Sequence, residues 1–308
     1  MKQEYEIDYI AGKIVAPVDE FVIDLGHFHI IAGPNGYGKT MIMKLIQAVY
    51  ELIGGRPPET LYQYVARVRS DYYDGSYVEY MRLFDRFTIK LKNGLTATIR
   101  PHDDTSGCFY TYTCGEETAD IDLSKHKAVQ TTQQITASSI LLGQDRHYEY
   151  GRLIYDILSN GIVRIDQITE WYSKLFGNST YQPYTGIPTW KPDEKRNAVI
   201  KRIDAWFERM SHGEQELFLH QIALQNYDLV LIDGVENGLH ICVQEHYHEM
   251  IESYRPGIHN FIITTHSPSI PQAGYWNNVV ELEEMNKINR SEIRVSLDIT
   301  GNEPTLSP

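Results

Sequence analysis

A glycine-rich segment running from Gly33 to Thr40 carries the clearest chemistry in the sequence. It reads GPNGYGKT and fits the pattern G-x-x-x-x-G-K-[ST]. Glycines let consecutive backbone N–H groups turn toward phosphate oxygens, Lys39 adds a point charge near the β and γ phosphates, and the Thr40 hydroxyl can ligate Mg²⁺. The segment therefore predicts a binding loop for a nucleoside triphosphate and its magnesium ion.

The residues around this loop have the pattern of a strand, a loop and a helix. Residues 28–32 form an apolar run before the loop, and residues 41–52 after it have a helix-like pattern. Alternating apolar and polar residues predict two more strands upstream, around 9–15 and 21–23. This context favours the phosphate-binding interpretation over the alternative, a glycine-rich turn with an exposed lysine.

The middle of the chain predicts a β subdomain followed by a short helical insertion. Residues 86–100 alternate around an Asn-Gly pair, which is typical of tight hairpin turns. Residues 105–126 are polar and contain glycine, which predicts a loop with one further strand at 109–113. Apolar residues at helical spacing over 153–176, interrupted by a second Asn-Gly pair, predict the insertion.

Composition and charge narrow the class of protein. The chain has 308 residues, of which 42% are hydrophobic and 22% charged, so an ordinary buried core is available. Its formal net charge of −13 works against nonspecific nucleic-acid binding over the whole surface, because such binding sets Lys and Arg against phosphates. The densest basic stretch, 191–202, is interleaved with acidic residues, and we interpret it as a solvated helix face.

Cysteine spacing and hydropathy argue against other classes. The three cysteines, Cys108, Cys114 and Cys242, lack the C-x-x-C spacing of a zinc site and the density of a disulfide framework. No run in the sequence approaches the ~18 apolar residues of a membrane span, and the first residues lack a basic-then-apolar signal. We therefore expect a cytoplasmic protein with no membrane partner.

Three runs in the second half carry residues suited to a nucleotide site. The run DLVLID reads as a buried strand ending in Asp233, a carboxylate that can hold Mg²⁺ opposite Thr40. The run SHGEQ begins at Ser211 and precedes a predicted helix over 216–225, whose N-terminus would present backbone N–H groups to an anion. The run FIITTHSP reads as a strand that leads to His266.

Taken in order, GPNGYGKT, SHGEQ, LVLIDGVENGLH and IITTHSP resemble the ATP-binding-cassette (ABC) ATPase superfamily, specifically the soluble head domains of structural-maintenance (SMC), recombination-repair and OLD-like ATPases. The resemblance covers residues 20–45 and 205–270. It implies an α/β P-loop NTPase fold with an ABC-ATPase-like core sheet flanked by helices, an antiparallel β subdomain and a helical insertion. The expected domains are an N-terminal lobe at 1–55, the subdomain and insertion at 56–195, and a C-terminal lobe at 196–308.

The resemblance also implies which residues bind ATP and magnesium. The nucleotide-binding residues of the loop would be Asn35, Gly36, Gly38, Lys39 and Thr40. Thr40 and Asp233 would hold Mg²⁺. A glutamine after a core strand approaches the metal in such ATPases, and Gln144 is the candidate here, with Gln133 and Gln134 as competitors. A surface glutamine is the alternative interpretation of Gln144.

Two further motifs imply an assembly. Ser211 and Gly213 resemble the signature motif, which contacts the γ-phosphate of a nucleotide bound to the other protomer. ATP would then join a homodimer or a higher homo-oligomer. Ser211 is also expected to cap its helix together with Glu214. His266 resembles the switch histidine that senses the γ-phosphate, although it could instead anchor the start of a helix.

One position departs from the resembled pattern. Relatives usually place a glutamate directly after the metal-binding aspartate, where it polarises the attacking water, but this chain has Gly234. Glycine offers no proton acceptor, so a general-base contribution of typically about 10²–10⁴-fold would be missing. Hydrolysis is expected to be slow or rerouted, and Glu236 is the nearest candidate for a replacement base.

The sequence therefore supports two functions. The first is an ABC-type ATPase head that dimerises around ATP and acts as a nucleotide-gated switch or slow ATPase, controlling a separate effector protein or DNA. The alternative is a non-hydrolysing, ATP-sensing scaffold for a partner nuclease or toxin in antiviral (antiphage) defence, which Gly234 favours modestly. DNA repair is an equally plausible setting. A P-loop kinase is disfavoured, because it would need a substrate lid and would not carry SHGEQ.

Overall fold

The fold is given by a computed structural model. It describes residues 6–14, 20–25, 28–35, 37–59, 61, 84–102, 109–122, 138–143, 150–160, 170, 186–247, 249, 260–267, 269–272 and 279–282. The strands are β1 (Ile7–Ile14), β2 (Glu20–Asp24), β3 (Phe28–Ala32), β4 (Phe84–Leu91), β5 (Thr96–Pro101), β6 (Phe109–Cys114), β7 (Glu117–Asp122), β8 (Ser139–Leu142), β9 (Leu229–Ile232), β10 (Asn260–Thr265) and β11 (Val279–Glu281). The helices are α1 (Lys39–Ile53), α2 (Tyr150–Asn160), α3 (Arg196–Phe207), α4 (His212–Asn226), α5 (Ile241–Glu245) and α6 (Ser269–Gln272).

An antiparallel sheet has the strand order β2-β1-β4-β5-β6-β7. The hairpin predicted from the Asn-Gly pair is confirmed, because β4 and β5 pair in antiparallel fashion. Gly94 in the turn has a left-handed φ of 90°, which glycine adopts readily. The prediction of a loop with one strand over 105–126 is wrong in part, because β7 pairs with β6 as a second strand. In β7 only Ile121 is buried, so this edge strand lacks a strong apolar pattern.

A parallel sheet has the strand order β11-β3-β10-β9-β8. The strands predicted before the phosphate loop, before Asp233 and before His266 are confirmed as β3, β9 and β10. Neighbouring strands in this sheet all run in the same direction. Their carboxyl ends therefore lie along one edge, which gathers the loops that follow β3, β8, β9 and β10.

The parallel sheet is buried on both faces. Ile31, Leu231 and Ile262 belong to a core shared with α1 and the antiparallel sheet. Their neighbours along the strands, such as Ile30 and Ile232, belong to a second core formed with α2, α3 and α4. Because successive strand residues point to opposite faces, burial on both sides explains the continuous apolar runs in the sequence.

The two sheets draw strands from more than one of the predicted domains. β1 comes from 1–55 and pairs with β4 of 56–195, while β8 comes from 56–195 and pairs with β9 of 196–308. The domain division therefore stays a prediction. α2 confirms the beginning of the helical segment predicted over 153–176. Of the part of that segment beyond α2, only residue 170 is among the described residues.

Two predictions about surfaces concern the helices. The basic stretch 191–202 includes the start of α3, where Arg196, Lys201 and Arg202 are exposed, so the solvated helix face is confirmed. Among the helices in the described ranges, none has both the length and the apolar character needed to cross a bilayer.

Candidate functional site

The glycine-rich loop connects β3 to α1 at the carboxyl edge of the parallel sheet. Gly38 is the N-cap of α1 and has a left-handed φ of 81°, a conformation that side chains with a Cβ rarely adopt. Asn35 is exposed, so the residue is accessible to a ligand. Gly36, also predicted to bind nucleotide, lies outside the described residues. The loop thus opens directly onto the first turn of a buried helix.

The Lys39 side chain crosses from this loop to the end of β10. Its Nζ donates to the carbonyl oxygens of Gly33, at 2.6 Å, and Pro34, at 2.9 Å. It also lies 3.1 Å from Nδ1 of His266. Burial lowers the pKa of Lys39, and the nearby carboxylates of Asp233 and Glu236 oppose that shift. The site therefore holds one cation facing two anions.

Asp233 lies directly after β9, where both of its carboxylate oxygens accept hydrogen bonds. Thr40 Oγ1 donates to Oδ2 at 2.7 Å, and Thr264 Oγ1 donates to Oδ1 at 2.6 Å. Thr264 Oγ1 in turn accepts from the backbone N–H of Gly234 at 2.8 Å. The structure thus brings the two predicted magnesium ligands together, and Thr264 holds the carboxylate from behind.

Thr264 is a site residue that the sequence analysis missed. Its side chain is 1% exposed, and its hydroxyl is fully used by Asp233 and Gly234. The only sequence signal was a hydroxyl residue near the end of an otherwise apolar strand. The pairing of β10 with β9 brings the Thr264 hydroxyl beside Asp233.

Glu236 ties the loop after β9 to the end of β10. Its Oε2 accepts from Thr265 Oγ1 at 2.7 Å, and its Oε1 accepts from the backbone N–H of His266 at 2.9 Å. Both oxygens are therefore engaged in holding the segment that carries His266. The role of Glu236 as a replacement base stays a prediction.

The donor set at Thr40 and Asp233 fits magnesium. A hydroxyl and a carboxylate are hard oxygen ligands, and Mg²⁺ in nucleotide sites takes one or two protein oxygens and completes its shell with water and substrate phosphates. Within the described residues, no group of three or more His, Cys, Asp or Glu side chains could hold a metal by itself. Gln144, Gln133 and Gln134 lie outside the described residues.

Ser211 and Gly213 lie at the start of α4. The backbone N–H and the Oγ of Ser211 donate to Oε2 of Glu214, at 2.7 and 2.6 Å, so the predicted capping arrangement is confirmed. A Cβ on Gly213 would come within 2.6 Å of the Gly238 carbonyl oxygen, so glycine is required for this close approach. Across the part of the chain that the structure describes, no hydrogen bond joins this turn to Lys39.

Several residues of the signature-like turn and of the segment after β9 are exposed. Ser211, His212 and Gly238 are exposed, as are His240 and Ile241 just beyond. Together these residues form an accessible edge beside the site.

Comparisons with known proteins identify the fold. No protein-family model matches the sequence, and no curated protein matches it. The chain is similar to the solved structure of an SMC head bound to the C-winged helix domain of ScpA, with 16% sequence identity, a TM-score of 0.55, and coverage of 90% of this chain and 93% of that chain. It is also similar to an SMC head domain from Pyrococcus furiosus bound to the C-terminal domain of ScpA (13% identity, TM-score 0.49, coverage 94% and 99%). A third similar structure is the SMC head domain from Thermotoga maritima (13% identity, TM-score 0.45, coverage 89% and 93%).

The first likeness shows the fold. The chain has the fold of an ABC/SMC-type ATPase head, which confirms the predicted α/β class and the resemblance drawn from the four motifs.

Proposed function

We propose that this chain, an ABC/SMC-type head by fold, binds ATP with Mg²⁺ and acts as a nucleotide-gated dimerisation switch with slow hydrolysis. The observation that carries the proposal is the 2.7 Å hydrogen bond from Thr40 to Asp233. It places a hydroxyl of the phosphate loop against the carboxylate of β9, beside the buried ammonium of Lys39. A hydroxyl, a carboxylate and an ammonium in this arrangement are suited to holding a metal-bound phosphate.

In this proposal each residue of the site has a defined contact. Gly38 and Lys39 present backbone N–H groups at the start of α1, and the Lys39 ammonium exchanges loop carbonyls for phosphate oxygens. Thr40 and Asp233 hold the magnesium ion, which neutralises phosphate charge when bound. His266 lies against Lys39 and can sense the terminal phosphate from the end of β10.

The exposed edge at Ser211 supports a second protomer as the source of the remaining contacts. Ser211 and Gly213 make no hydrogen bond with the loop of their own chain within the described residues, and Ser211 is exposed. A nucleotide shifts an equilibrium only by the difference in its affinity for the two states. Contacts made across the interface by Ser211 and Gly213 would supply that difference and select the closed dimer.

We propose slow hydrolysis because the loop after β9 offers no free carboxylate to activate water. Gly234 has no side chain to activate water, and both oxygens of Glu236 are engaged by Thr265 and His266. A closed dimer that forms readily and reopens slowly is suited to signalling. Gly234 also favours the second candidate function, a non-hydrolysing ATP-sensing scaffold.

We propose a separate protein as the output of the switch. One similar structure is an SMC head bound to the C-winged helix domain of ScpA, so a head of this fold is able to hold a partner domain. The net charge of −13 restricts DNA contact to a local basic patch. A nuclease or toxin of antiviral defence, or a DNA-repair protein, is the class of effector that we propose.

Light scattering coupled to size-exclusion chromatography tests the switch, with ATP affinity measured separately by calorimetry. We expect the wild type to dimerise only with ATP and Mg²⁺. Ser211→Arg should still bind ATP, more weakly than the wild type because the contacts across the interface are lost, and should remain monomeric. Ala205→Arg, at an exposed position on α3, should dimerise as the wild type does. A wild type that binds ATP and stays monomeric would contradict the switch, and absent ATP binding would contradict the whole proposal.

A further inference from the structure

A polar cavity of about 230 Å³ lies beside Gly234. Its walls include Asp233, Gly234, Asn237 and Gly238 from the segment after β9, together with Gly143, Ile232 and three α4 side chains, His212, Glu216 and His220. A water molecule takes up roughly 30 Å³ in the liquid, so the cavity has room for several. The cavity lies between Gly234, where relatives usually have a glutamate, and α4.

Gly234 contributes only backbone to this cavity. Its φ of 72° is in the left-handed region, where a residue with a Cβ is destabilised by roughly 1–2 kcal/mol. The conformation of the loop is therefore suited to glycine. A proton acceptor for this side of the site has to come from another element.

Glu216 faces the cavity from α4, between two histidines. Its Oε1 lies 3.7 Å from Nδ1 of His212, and its Oε2 lies 3.7 Å from Nε2 of His220. The Glu216 side chain is 12% exposed, whereas that of His212 is 41% exposed. The three residues occupy i, i+4 and i+8 positions on one face of the helix, so they form a row from the interior to the surface.

The inner end of this row is neutral and fixed. His220 Nδ1 lies 2.9 Å from the hydroxyl of the buried Tyr247. Burial lowers the pKa of His220 to about 3 and raises the pKa of Tyr247 well above its ordinary value, so neither is charged near neutral pH. When Tyr247 donates to Nδ1, the His220 proton lies on Nε2 and faces Glu216. Glu216 thus faces a neutral histidine on its inner side.

Asn237 is a polar residue in the wall of the cavity. Its Nδ2 is buried and has no hydrogen-bond partner among the described residues. Buried amide N–H groups are almost always paired with protein or with ordered water. Asn237 thus adds a polar residue to the wall of the cavity beside Gly234.

We propose that the cavity holds the water that serves hydrolysis and that Glu216 is the catalytic proton acceptor in place of the carboxylate missing at position 234. The inference rests on the proposed ATP binding. The water oxygen forms a bond to the γ-phosphorus as the bond from that phosphorus to the β–γ bridging oxygen breaks. The bridging oxygen leaves with the electron pair as part of ADP. The proton released by the water passes to Glu216 and then to solvent past His212.

Glu216→Gln tests the assignment, because it keeps the shape of the side chain and removes the basic oxygen. We expect kcat for phosphate release to fall about 10²-fold or more, as for loss of a general base. The KM, the affinity for a fluorescent ATP analogue and the melting temperature should be unchanged. The matched control is Glu245→Gln, at an exposed position on α5, which should keep wild-type kcat.

Chemical rescue separates catalysis from structure. Glu216→Ala enlarges the cavity, and added formate should restore turnover in a concentration-dependent way without stimulating the wild type or Glu245→Gln. Should Glu216→Gln fail to fold, Asn237→Ala should lower kcat while retaining ATP affinity.

Three outcomes would overturn the assignment. Wild-type kcat in Glu216→Gln, or no formate rescue in a folded Glu216→Ala that binds ATP, removes Glu216 from catalysis. If the wild type binds ATP but releases no phosphate, Glu216 has no catalytic role, and the proposed nucleotide switch is unaffected. A wild type that binds no ATP overturns both proposals.

Discussion

Lys39 Nζ lies 3.1 Å from Nδ1 of His266, although the two residues are 227 positions apart in the sequence. An ammonium only donates hydrogen bonds, so Nδ1 is the acceptor and the His266 ring proton lies on Nε2. The same amine donates to the carbonyls of Gly33 and Pro34, so its three protons have three acceptors. Phosphate oxygens must therefore compete with the loop itself for Lys39.

Replacement of Lys39 tests whether this ammonium binds phosphate. A hydrogen bond to a charged group contributes about 1.5–3 kcal/mol, and 1.4 kcal/mol is a factor of ten. We therefore expect Lys39→Ala to weaken ATP binding about 10- to 100-fold in calorimetry. Lys44→Ala, further along α1, is the control and should bind as the wild type does. Equal affinity of Lys39→Ala and wild type would contradict the site.

Replacement of Thr264 tests the support of the metal carboxylate. Thr264→Val removes the donor to Asp233 and the acceptor of the Gly234 N–H, so a folded-state loss of about 1–3 kcal/mol is expected. The Mg²⁺ concentration for half-maximal ATP binding should rise. Thr264→Ser keeps the hydroxyl and should restore both properties. An unchanged Mg²⁺ requirement in Thr264→Val would show that Asp233 does not need this support.

Glu236→Gln distinguishes the two roles considered for that residue. If Glu236 holds the His266 segment, the amide loses one of two accepted hydrogen bonds, and both thermal stability and turnover should fall. If it is instead the base, turnover should fall by itself. Measuring phosphate release and melting temperature in the same variant distinguishes the two roles. Thr265→Val is the control, because it removes one hydrogen bond to Glu236 and leaves the carboxylate in place. Fast wild-type turnover, unaffected in Glu236→Gln, would reject both roles and slow hydrolysis as well.

Restoring the usual glutamate at position 234 should not produce a fast ATPase. Because Gly234 has a φ of 72°, Gly234→Glu should lower the free energy of unfolding by roughly 1–2 kcal/mol. Gly94→Ala, at a φ of 90° with open space around the added Cβ, gives the same kind of backbone strain away from the site. Chemical denaturation and a phosphate-release assay measure both effects. A large gain in turnover with unchanged stability would show that the loop accommodates the carboxylate.

The burial of His29 is expected to make the folded protein less stable in acid. This β3 residue is 4% exposed, neither ring nitrogen has a partner in the described part of the chain, and burial lowers its pKa from 6.5 to about 4 against the opposing charge of Asp24. As pH falls below 6.5 the unfolded chain takes up a proton that the folded chain does not. Stability that is fully present above pH 6.5 is therefore lost as pH approaches 4, by on the order of 3 kcal/mol.

His29→Leu should remove this part of the pH dependence, although buried His220 contributes in an overlapping range. Urea unfolding at pH 7.5, 6 and 5 measures it. His246→Leu, at an exposed position, should keep the wild-type slope. An identical slope in His29→Leu would mean that the folded and unfolded chains take up the His29 proton equally.

Local sequence was sufficient to predict the parts of the fold that depend on neighbouring residues. The phosphate loop could be predicted because its glycines, lysine and threonine are neighbours in sequence at a fixed spacing. The strands before Asp233 and His266 were readable because a strand buried on both faces needs an unbroken apolar run. The exposed alternation of β7 gave no such signal, since an edge strand is specified by its pairing with β6.

The sequence by itself determined the chemistry of the loop, the buried strands and the glycine at position 234. Only the tertiary structure decided that Thr264 supports Asp233, that Glu236 holds the His266 segment, and that Glu216 faces a cavity beside Gly234. These contacts join residues on different elements. They depend on strand order and helix packing, which set distances that spacing along the chain does not encode.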